Sequence, residues 1–268
     1  AIRLGESPLA ISQTAGQGEV FHLAVSGNRL YAAENAAGLG IYEIGPESRL
    51  TEIGRLSVPG RSVKQVTCPP PGRFALFHCG GSEVFLADVG DPSRPSVVTR
   101  DAQVGLFYGD QLVPEMLGGR YLVAFWQRSG PAWYDVGGEK PFYAGNTPDE
   151  QLFSFTDGAC LLGERLLIVQ RGKLHLLDPG EMRNVRKLPA YGLPDRRLAG
   201  RPTTDGRLLA LSRRPDRHVE VLDISNLEAP RLLREYGLPG HPGACAFWKG
   251  RLVIPAGYAG LLVGREAP

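Results

Sequence analysis

Apolar residues alternate with polar residues in short runs along the chain. Runs of four to seven positions rich in β-branched, leucine and aromatic residues are separated by Gly, Pro, Asn and Asp, and the clearest example is the stretch 217–240. There Val219 and Val221 alternate with polar neighbours, and Asp223 closes the run before a turn that contains Pro230. No window keeps apolar residues at helical spacing over three turns. Because alternation with period two is the pattern of a half-buried strand, the sequence predicts an all-β chain.

An acidic residue closes the apolar run of each of the first five units and recurs at nearly constant spacing. In successive units it is Glu43, Asp88, Asp135, Asp178 and Asp223, so the units repeat every 43 to 47 residues. Each unit contains several short strand patterns separated by turn residues. A period in the forties with several strands per unit is typical of propeller blades. The sequence therefore predicts a six-bladed β-propeller of four-stranded antiparallel blades.

The last unit has three strand patterns, and the first residues of the chain resemble the strand it lacks. Residues 7–12, SPLAIS, match residues 229–234, APRLLR, which form the fourth strand pattern of the preceding unit. We therefore expect the N-terminal strand to join the C-terminal blade and to remove its open edge. The prediction is a single β-propeller domain with approximate blade ranges 18–60, 61–104, 105–146, 147–194, 195–240, and 241–268 plus the strand 7–14.

Three of the units resemble a known repeat family. The matching segments are GNRLY at 27–31 with GLGIYE at 38–43, HVEVLDIS at 218–225 with EAP at 228–230, and DVGDPSRP at 88–95. They are similar to the hairpin and the "GLvivDvsdPsnP" segment of the LVIVD-repeat β-propellers. The third and fourth units depart from that pattern, because 137–141 and 179–181 replace the usual turn. The family is defined by its structural repeat, so the resemblance implies a propeller and brings no catalytic residues.

Composition and charge narrow the choice of partners. With 30 Lys and Arg against 28 Asp and Glu, the formal net charge is +2, which does not favour a polyanion-wrapping protein. The sequence also shows no recognition helix and no aromatic-basic motif, so we expect no nucleic acid partner. No apolar run is long enough to cross a bilayer as a helix, so no transmembrane segment is expected. We expect a monomer. Two locations stay open: the cytoplasm, or secretion or display at the cell surface after removal of a signal peptide.

The four cysteines are scattered along the chain. In a hairpin that closes at 69–72, Cys68 would face Phe74 rather than Cys79. We therefore expect four free thiols that pack as small apolar residues, the other two being Cys160 and Cys245.

Two classes of loop are expected to share one face of a propeller and to carry its ligands. They are the connections from a fourth strand to the next first strand and from a second strand to its third strand. Arginines and tyrosines recur there and suit a carboxylated or sulfated ligand, although solvated loop charges are the simpler alternative. The predicted ligand-binding residues are His22, Arg61, Gln65, His78, Tyr108, Glu115, Arg128, Arg171, Arg201, Arg214, His241 and Tyr258.

The sequence contains no spacing that identifies a catalytic centre. We predict a non-catalytic binding module for a protein partner or an acidic glycan, with no cofactor. The alternative is a polysaccharide lyase or hydrolase acting on uronate-containing chains, for which Asp110, Glu115 and Asp157 are candidate carboxylates. No metal centre is predicted, because zinc-binding spacings are absent from the sequence, although a metal site assembled from several blades stays an alternative.

Overall fold

The fold is given by a computed structural model. It describes residues 2–3, 9–10, 17–46, 49–80, 83–101, 111–126, 130–146, 156–178, 186–248 and 250–263. In these ranges the regular elements are β-strands, apart from short 3-10 turns such as Gly257–Ala259, and none is an α-helix. The prediction of an all-β chain is therefore confirmed for the described part.

Two short strands near the start of the chain pair with each other. They are β1 (Ile2–Arg3) and β2 (Leu9–Ala10), which form an antiparallel two-stranded sheet. The expectation that 7–14 supplies the fourth strand of the last blade is not confirmed, because the described part of that segment hydrogen-bonds to β1 instead. Its other residues lie outside the described ranges.

Six larger sheets follow in the described part of the chain, and strands that are consecutive in the sequence pair within each one. The first contains β3 (His22–Ser26), β4 (Arg29–Ala33), β5 (Leu39–Ile44) and β6 (Leu50–Leu56). The second contains β7 (Val63–Thr67), β8 (Phe74–Cys79), β9 (Glu83–Asp88) and β10 (Ser96–Asp101). The third contains β11 (Gln111–Leu112), β12 (Tyr121–Trp126), β13 (Gly130–Asp135) and β14 (Phe142–Asn146).

The remaining sheets repeat this arrangement. The fourth contains β15 (Thr156–Leu162), β16 (Arg165–Gln170), β17 (Lys173–Asp178) and β18 (Arg186–Lys187). The fifth contains β19 (Arg201–Thr204), β20 (Leu208–Arg213), β21 (His218–Asp223) and β22 (Arg231–Gly237). The sixth contains β23 (Ala246–Trp248), β24 (Arg251–Pro255) and β25 (Leu261–Val263). Sheets of three or four antiparallel strands have the composition expected of propeller blades.

A β-bulge recurs in the last strand of three sheets. The register shifts by one residue at Ile53 in β6, at Val98 in β10 and at Leu233 in β22. The extra residue bends the strand and increases its twist. It also moves every later side chain of that strand to the opposite face, which decides which residues meet across the sheet.

The chain divides into two compact units. The first comprises Ala1–Tyr108, Leu112–Ala124 and Trp133–Ala144, and the second comprises Gly109–Gln111, Phe125–Ala132 and Gly145–Pro268.

Each unit buries apolar side chains between neighbouring sheets. In the first unit, side chains of the first and second sheets form one cluster, in which the rings of Phe77 and Phe85 stack with centroids 5.2 Å apart. In the second unit, Leu174 and Leu209 belong to a cluster that joins the fourth and fifth sheets. A further cluster joins the fifth and sixth sheets. This packing holds in position the strand ends that carry the polar side chains described below.

The cysteines and three of the aspartates that close third strands have structural roles. All four cysteines are buried thiols outside any disulfide, and burial raises the pKa of Cys68 and of Cys245 to about 11. The carboxylates of Asp88, Asp135 and Asp223 each accept a hydrogen bond from the amide two residues later, as turn-closing aspartates do. In the described residues there is no helix with the length and apolar character needed to cross a membrane.

Candidate functional site

Cationic side chains gather at one end of the sheets in the second unit, around a pocket of about 420 Å³. The pocket is lined by Asp157, Ala199, Gly200, Arg201, Ser212, Arg213, Arg214, Pro215, Asp216, Pro242 and Gly243. Its residues come from the starts of the first strands β15 and β19, from the segments before β19 and β23, and from the end of β20 with the turn that follows it. In this unit the two predicted classes of loop therefore contribute to one cavity.

Close backbone packing holds the arginines of this pocket in place. Arg201 begins β19 and pairs with Ser212 of β20. Gly200 has φ +117°, and a Cβ there would lie 2.8 Å from the Ser212 carbonyl oxygen, so the position requires glycine. The Arg214 carbonyl lies 2.9 Å from Nδ1 of His241, which ties the turn after β20 to the segment before β23.

Arg201 carries a partly buried positive charge in this pocket. Arg201 is partly buried, and burial and the neighbouring guanidinium of Arg214 both lower its pKa. Within the described part of the chain, the structure gives neither Arg201 nor Arg214 a carboxylate partner. By contrast, Arg213 forms an ion pair with Asp216 at 2.5 Å. Removing a cation from water without a counter-ion is costly, so this arrangement favours an anionic ligand.

A second pocket of about 550 Å³ lies in the same unit. It is lined by Arg171, Gly172, Lys173, Gly192, Leu193, Pro194, Arg196 and Arg197. Arg171 and Gly172 form the two-residue turn between β16 and β17 with φ of +52° and +80°. A non-glycine residue in this left-handed region costs about 1 kcal/mol. We call the seven cations of the two pockets the basic patch: Arg171, Lys173, Arg196, Arg197, Arg201, Arg213 and Arg214.

Asp157 connects the two pockets electrostatically. It lies on β15 at the mouth of the first pocket, accessible to solvent. The pKa of its carboxyl is raised, because desolvation by the surrounding protein outweighs the nearby charges of Arg197 and Arg213, which lower it. One carboxylate thus faces cations of both pockets, and the basic patch keeps a net positive charge.

Four of the predicted residues in the second unit are brought to the patch or its border. Arg201 and Arg214 line the first pocket, with His241 beside them, and Arg171 lines the second pocket. Tyr258 is in the turn Gly257–Ala259, but its side chain is outside the described residues.

The predicted residues of the first unit that the structure describes line neither pocket. Arg61 forms an ion pair with Glu83 at 2.5 Å, and His22 begins β3. Gln65 lies opposite His78 on neighbouring strands and accepts a hydrogen bond from the Leu112 amide at 3.4 Å.

Glu115 is not a residue of the described patch, and two further predicted residues are outside the described part of the chain. Glu115 is exposed in the connection from β11 to β12, at the end of its sheet opposite the connection from the second to the third strand. Tyr108 and Arg128, and the candidate carboxylate Asp110, lie outside the described residues.

The list of ligand-binding residues predicted from the sequence leaves out several cations of the patch. Lys173, Arg196, Arg197 and Arg213 line the pockets beside the residues that were predicted. The available signal was the doubling of charge in Arg196-Arg197 and Arg213-Arg214 within turns that the repeat already located.

Comparison with known proteins supports the fold. No family model matches the chain, so its resemblance to the LVIVD-repeat propellers stays a prediction. No curated protein matches it either. Among solved structures, the β-propeller domain of Myceliophteria thermophila Cps50 (Swd1) is 11% identical with a TM-score of 0.65, and the match covers 91% of this chain and 82% of that one.

A chain from a crystal structure of the mitotic checkpoint complex is also similar. It is 11% identical with a TM-score of 0.62, and the match covers 98% of this chain and 84% of that one. At this level of identity the likeness concerns the fold alone. The chain therefore has the fold of the β-propellers, built from antiparallel sheets of three or four strands.

Proposed function

We propose that this chain is a non-catalytic binding module that takes an acidic polypeptide segment on the basic patch. The observation that carries the proposal is Arg201, a partly buried cation beside Arg214 to which the described residues offer no carboxylate. A carboxylate of a partner would neutralise both guanidinium groups and could form paired hydrogen bonds with either one. The free protein would thus hold a desolvated charge that only the bound state compensates.

The composition of the two pockets favours a polypeptide over a glycan. Sugar rings are commonly covered by aromatic side chains, whereas the described residues that line the two pockets include no aromatic ring. One of the similar structures is a chain of the mitotic checkpoint complex, so the same fold is found there within a complex. These observations support a protein partner. Binding experiments with both kinds of ligand distinguish it from an acidic glycan.

Substitution of Arg201 tests the proposal directly. We expect the protein to bind a short polyglutamate peptide but not a matched polyglutamine peptide, and binding to weaken as salt increases. Arg201→Met should weaken binding about 10- to 100-fold, because a hydrogen bond to a charged group contributes about 1.5 to 3 kcal/mol. Fluorescence anisotropy with labelled peptides measures the change. Arg186→Ala is the control, since Arg186 is an exposed arginine of the same unit paired with Asp178.

The stability of the same variants separates binding from folding. If Arg201 serves a ligand, Arg201→Met should not lower the melting temperature, because the substitution removes an uncompensated charge. A variant that binds as well as the wild type would refute the proposal. Preferential binding of polygalacturonate over polyglutamate would favour the glycan, and unsaturated products from it would favour the lyase alternative, in which Asp157 is the candidate base.

We also propose that the propeller has six blades and that strand 7–14 completes the last one. Support comes from the match of 7–12 to 229–234 and from β25, which has a strand partner on one edge only among the described residues. Hydrogen exchange of β25 amides should be slow in the intact chain and at least about tenfold faster after deletion of residues 1–16, while exchange of β22 stays unchanged. Equal exchange of β25 in both proteins would exclude this closure.

A further inference from the structure

Three side chains with metal-binding groups meet on one face of the fifth sheet. His218 and Glu220 are two residues apart on β21, so they point to the same face, and Glu235 of β22 lies directly opposite Glu220. A ring nitrogen of the histidine and one carboxylate oxygen from each glutamate all lie within 4.8 Å of one another. His218 Nε2 is 4.0 Å from Glu220 Oε1. This group is separate from the residues of the basic patch, apart from its contact with Arg196.

Glu220 carries a buried oxygen that lacks a partner. Its side chain is only 5% exposed, and its Oε1 accepts a hydrogen bond from Arg196 at 3.2 Å. Its Oε2 is buried and has no hydrogen-bond partner among the described residues. A buried carboxylate oxygen without a partner is strongly unfavourable, so the position calls for a further cation or donor. This is an observation independent of the spacing of the three groups.

Arg196 provides one positive charge for two carboxylates. Its guanidinium contacts both Glu220 and Glu235, which face each other across the strand pair. Like charges placed opposite one another destabilise a sheet unless they are neutralised. Arg196 is also 36% exposed and lines the second pocket of the basic patch. It therefore has room to leave the glutamates without burying its charge elsewhere.

We propose that His218, Glu220 and Glu235 bind a Zn²⁺ ion and that Arg196 is the cation that competes with it. One imidazole and two carboxylates form a three-ligand set that Zn²⁺ accepts, with further positions left for water or a ligand. Donors of a tetrahedral Zn²⁺ site are about 3.3 Å apart, given metal–ligand distances of about 2.0 to 2.1 Å. The three groups thus need only side-chain rotations to close around the ion. When it binds, Arg196 is released and joins the other cations of the patch.

Zinc titration of the full chain, purified free of metal, tests the assignment. Isothermal titration with Zn²⁺ should show one ion per chain, and excess Mg²⁺ should not displace it, because Mg²⁺ prefers an octahedral shell of oxygens. His218→Ala, Glu220→Gln and the more exposed Glu235→Gln should each weaken binding at least about tenfold. His241→Ala is the control for a histidine outside the group.

The Arg196→Ala variant distinguishes the proposed site from a fortuitous Zn²⁺ site on the surface. Arg196→Ala should bind Zn²⁺ about tenfold more tightly than the wild type, because the competing cation is gone. Arg197→Ala removes a neighbouring charge that does not contact the glutamates and should change affinity less than about threefold. The proposal is overturned if the wild type and Arg196→Ala both fail to bind, or if the glutamate and histidine variants bind like the wild type. Glu235→Gln keeps the test valid if the buried Glu220 variant does not fold.

Discussion

Replacing Arg55 by alanine is expected to lower the free energy of unfolding by about 3 to 5 kcal/mol, the usual cost of removing one partner of a buried ion pair. Arg55 Nη1 lies 2.8 Å from an oxygen of Glu34, whose side chain is only 1% exposed, while that of Arg55 is 15% exposed. The same guanidinium hydrogen-bonds to the Ala37 carbonyl at 3.2 Å and to Glu52 at 2.7 Å. Without it, the Glu34 carboxylate stays buried with no cation.

Neighbouring groups cannot replace this positive charge. The Tyr42 hydroxyl donates a short hydrogen bond to Glu34, and the backbone N–H of Gln17 donates another at 3.2 Å. Burial and the contact with Glu34 raise the pKa of Tyr42 to about 12, so its hydroxyl remains a neutral donor at physiological pH. Neutral donors stabilise a carboxylate but do not cancel its charge.

Urea denaturation followed by circular dichroism measures the effect. Arg186→Ala is the matched control, because Arg186 and Asp178 are 3.2 Å apart with side chains 70% and 35% exposed, and its loss should cost less than about 1 kcal/mol. Glu34→Gln combined with Arg55→Ala should be less destabilised than Arg55→Ala alone, since no buried charge is then left unpaired. A loss for Arg55→Ala as small as that of the control would contradict the argument.

The repeat made the positions of the strands predictable, whereas the burial of individual polar side chains could not be predicted from the sequence. Polar and apolar alternation located the strands, and the acidic residue closing each third strand marked the turns confirmed at Asp88, Asp135 and Asp223. Glu34 follows β4 in a turn, where sequence reasoning expects a ligand-facing charge. Instead it is buried, and Gly40 leaves the room for its carboxylate, because a Cβ at that position would lie 2.8 Å from the Glu34 carboxylate.

The cluster around Glu220 escaped prediction for a different reason. His218 reads as an ordinary strand position, and pairing β21 with β22 from their connecting turn would place Arg234 opposite Glu220. The bulge at Leu233 shifts the register by one residue, so Glu235 takes that place and the two carboxylates meet. Bulges depend on tertiary packing and have no reliable signal in a single sequence. The arginine doublets of the basic patch, in contrast, were visible as charges in turns that the repeat had located.

Alanine at Gly54 should be at least as disruptive as the loss of Arg55, with an expected loss of more than about 3 kcal/mol or failure to fold. Gly54 follows the bulge of β6, and a Cβ there would lie 1.7 Å from the Pro92 carbonyl oxygen in the turn between β9 and β10. Because the obstacle is backbone, no side-chain rotation relieves the overlap, and the first sheet must move away from the second. That movement would open the apolar cluster that contains Ile41 and Phe85.

Gly237 provides the comparison that isolates this close approach. It also lies on the last strand of its sheet, β22, but a Cβ there would meet no atom within 4 Å. Gly237→Ala should therefore change the free energy of unfolding by no more than about 0.5 kcal/mol, and a gain is expected if alanine reduces the freedom of the unfolded chain. Thermal and urea unfolding of both variants decide the question. Equal effects at the two positions would contradict the argument, because they would mean that the close approach of the first two sheets does not depend on glycine at position 54.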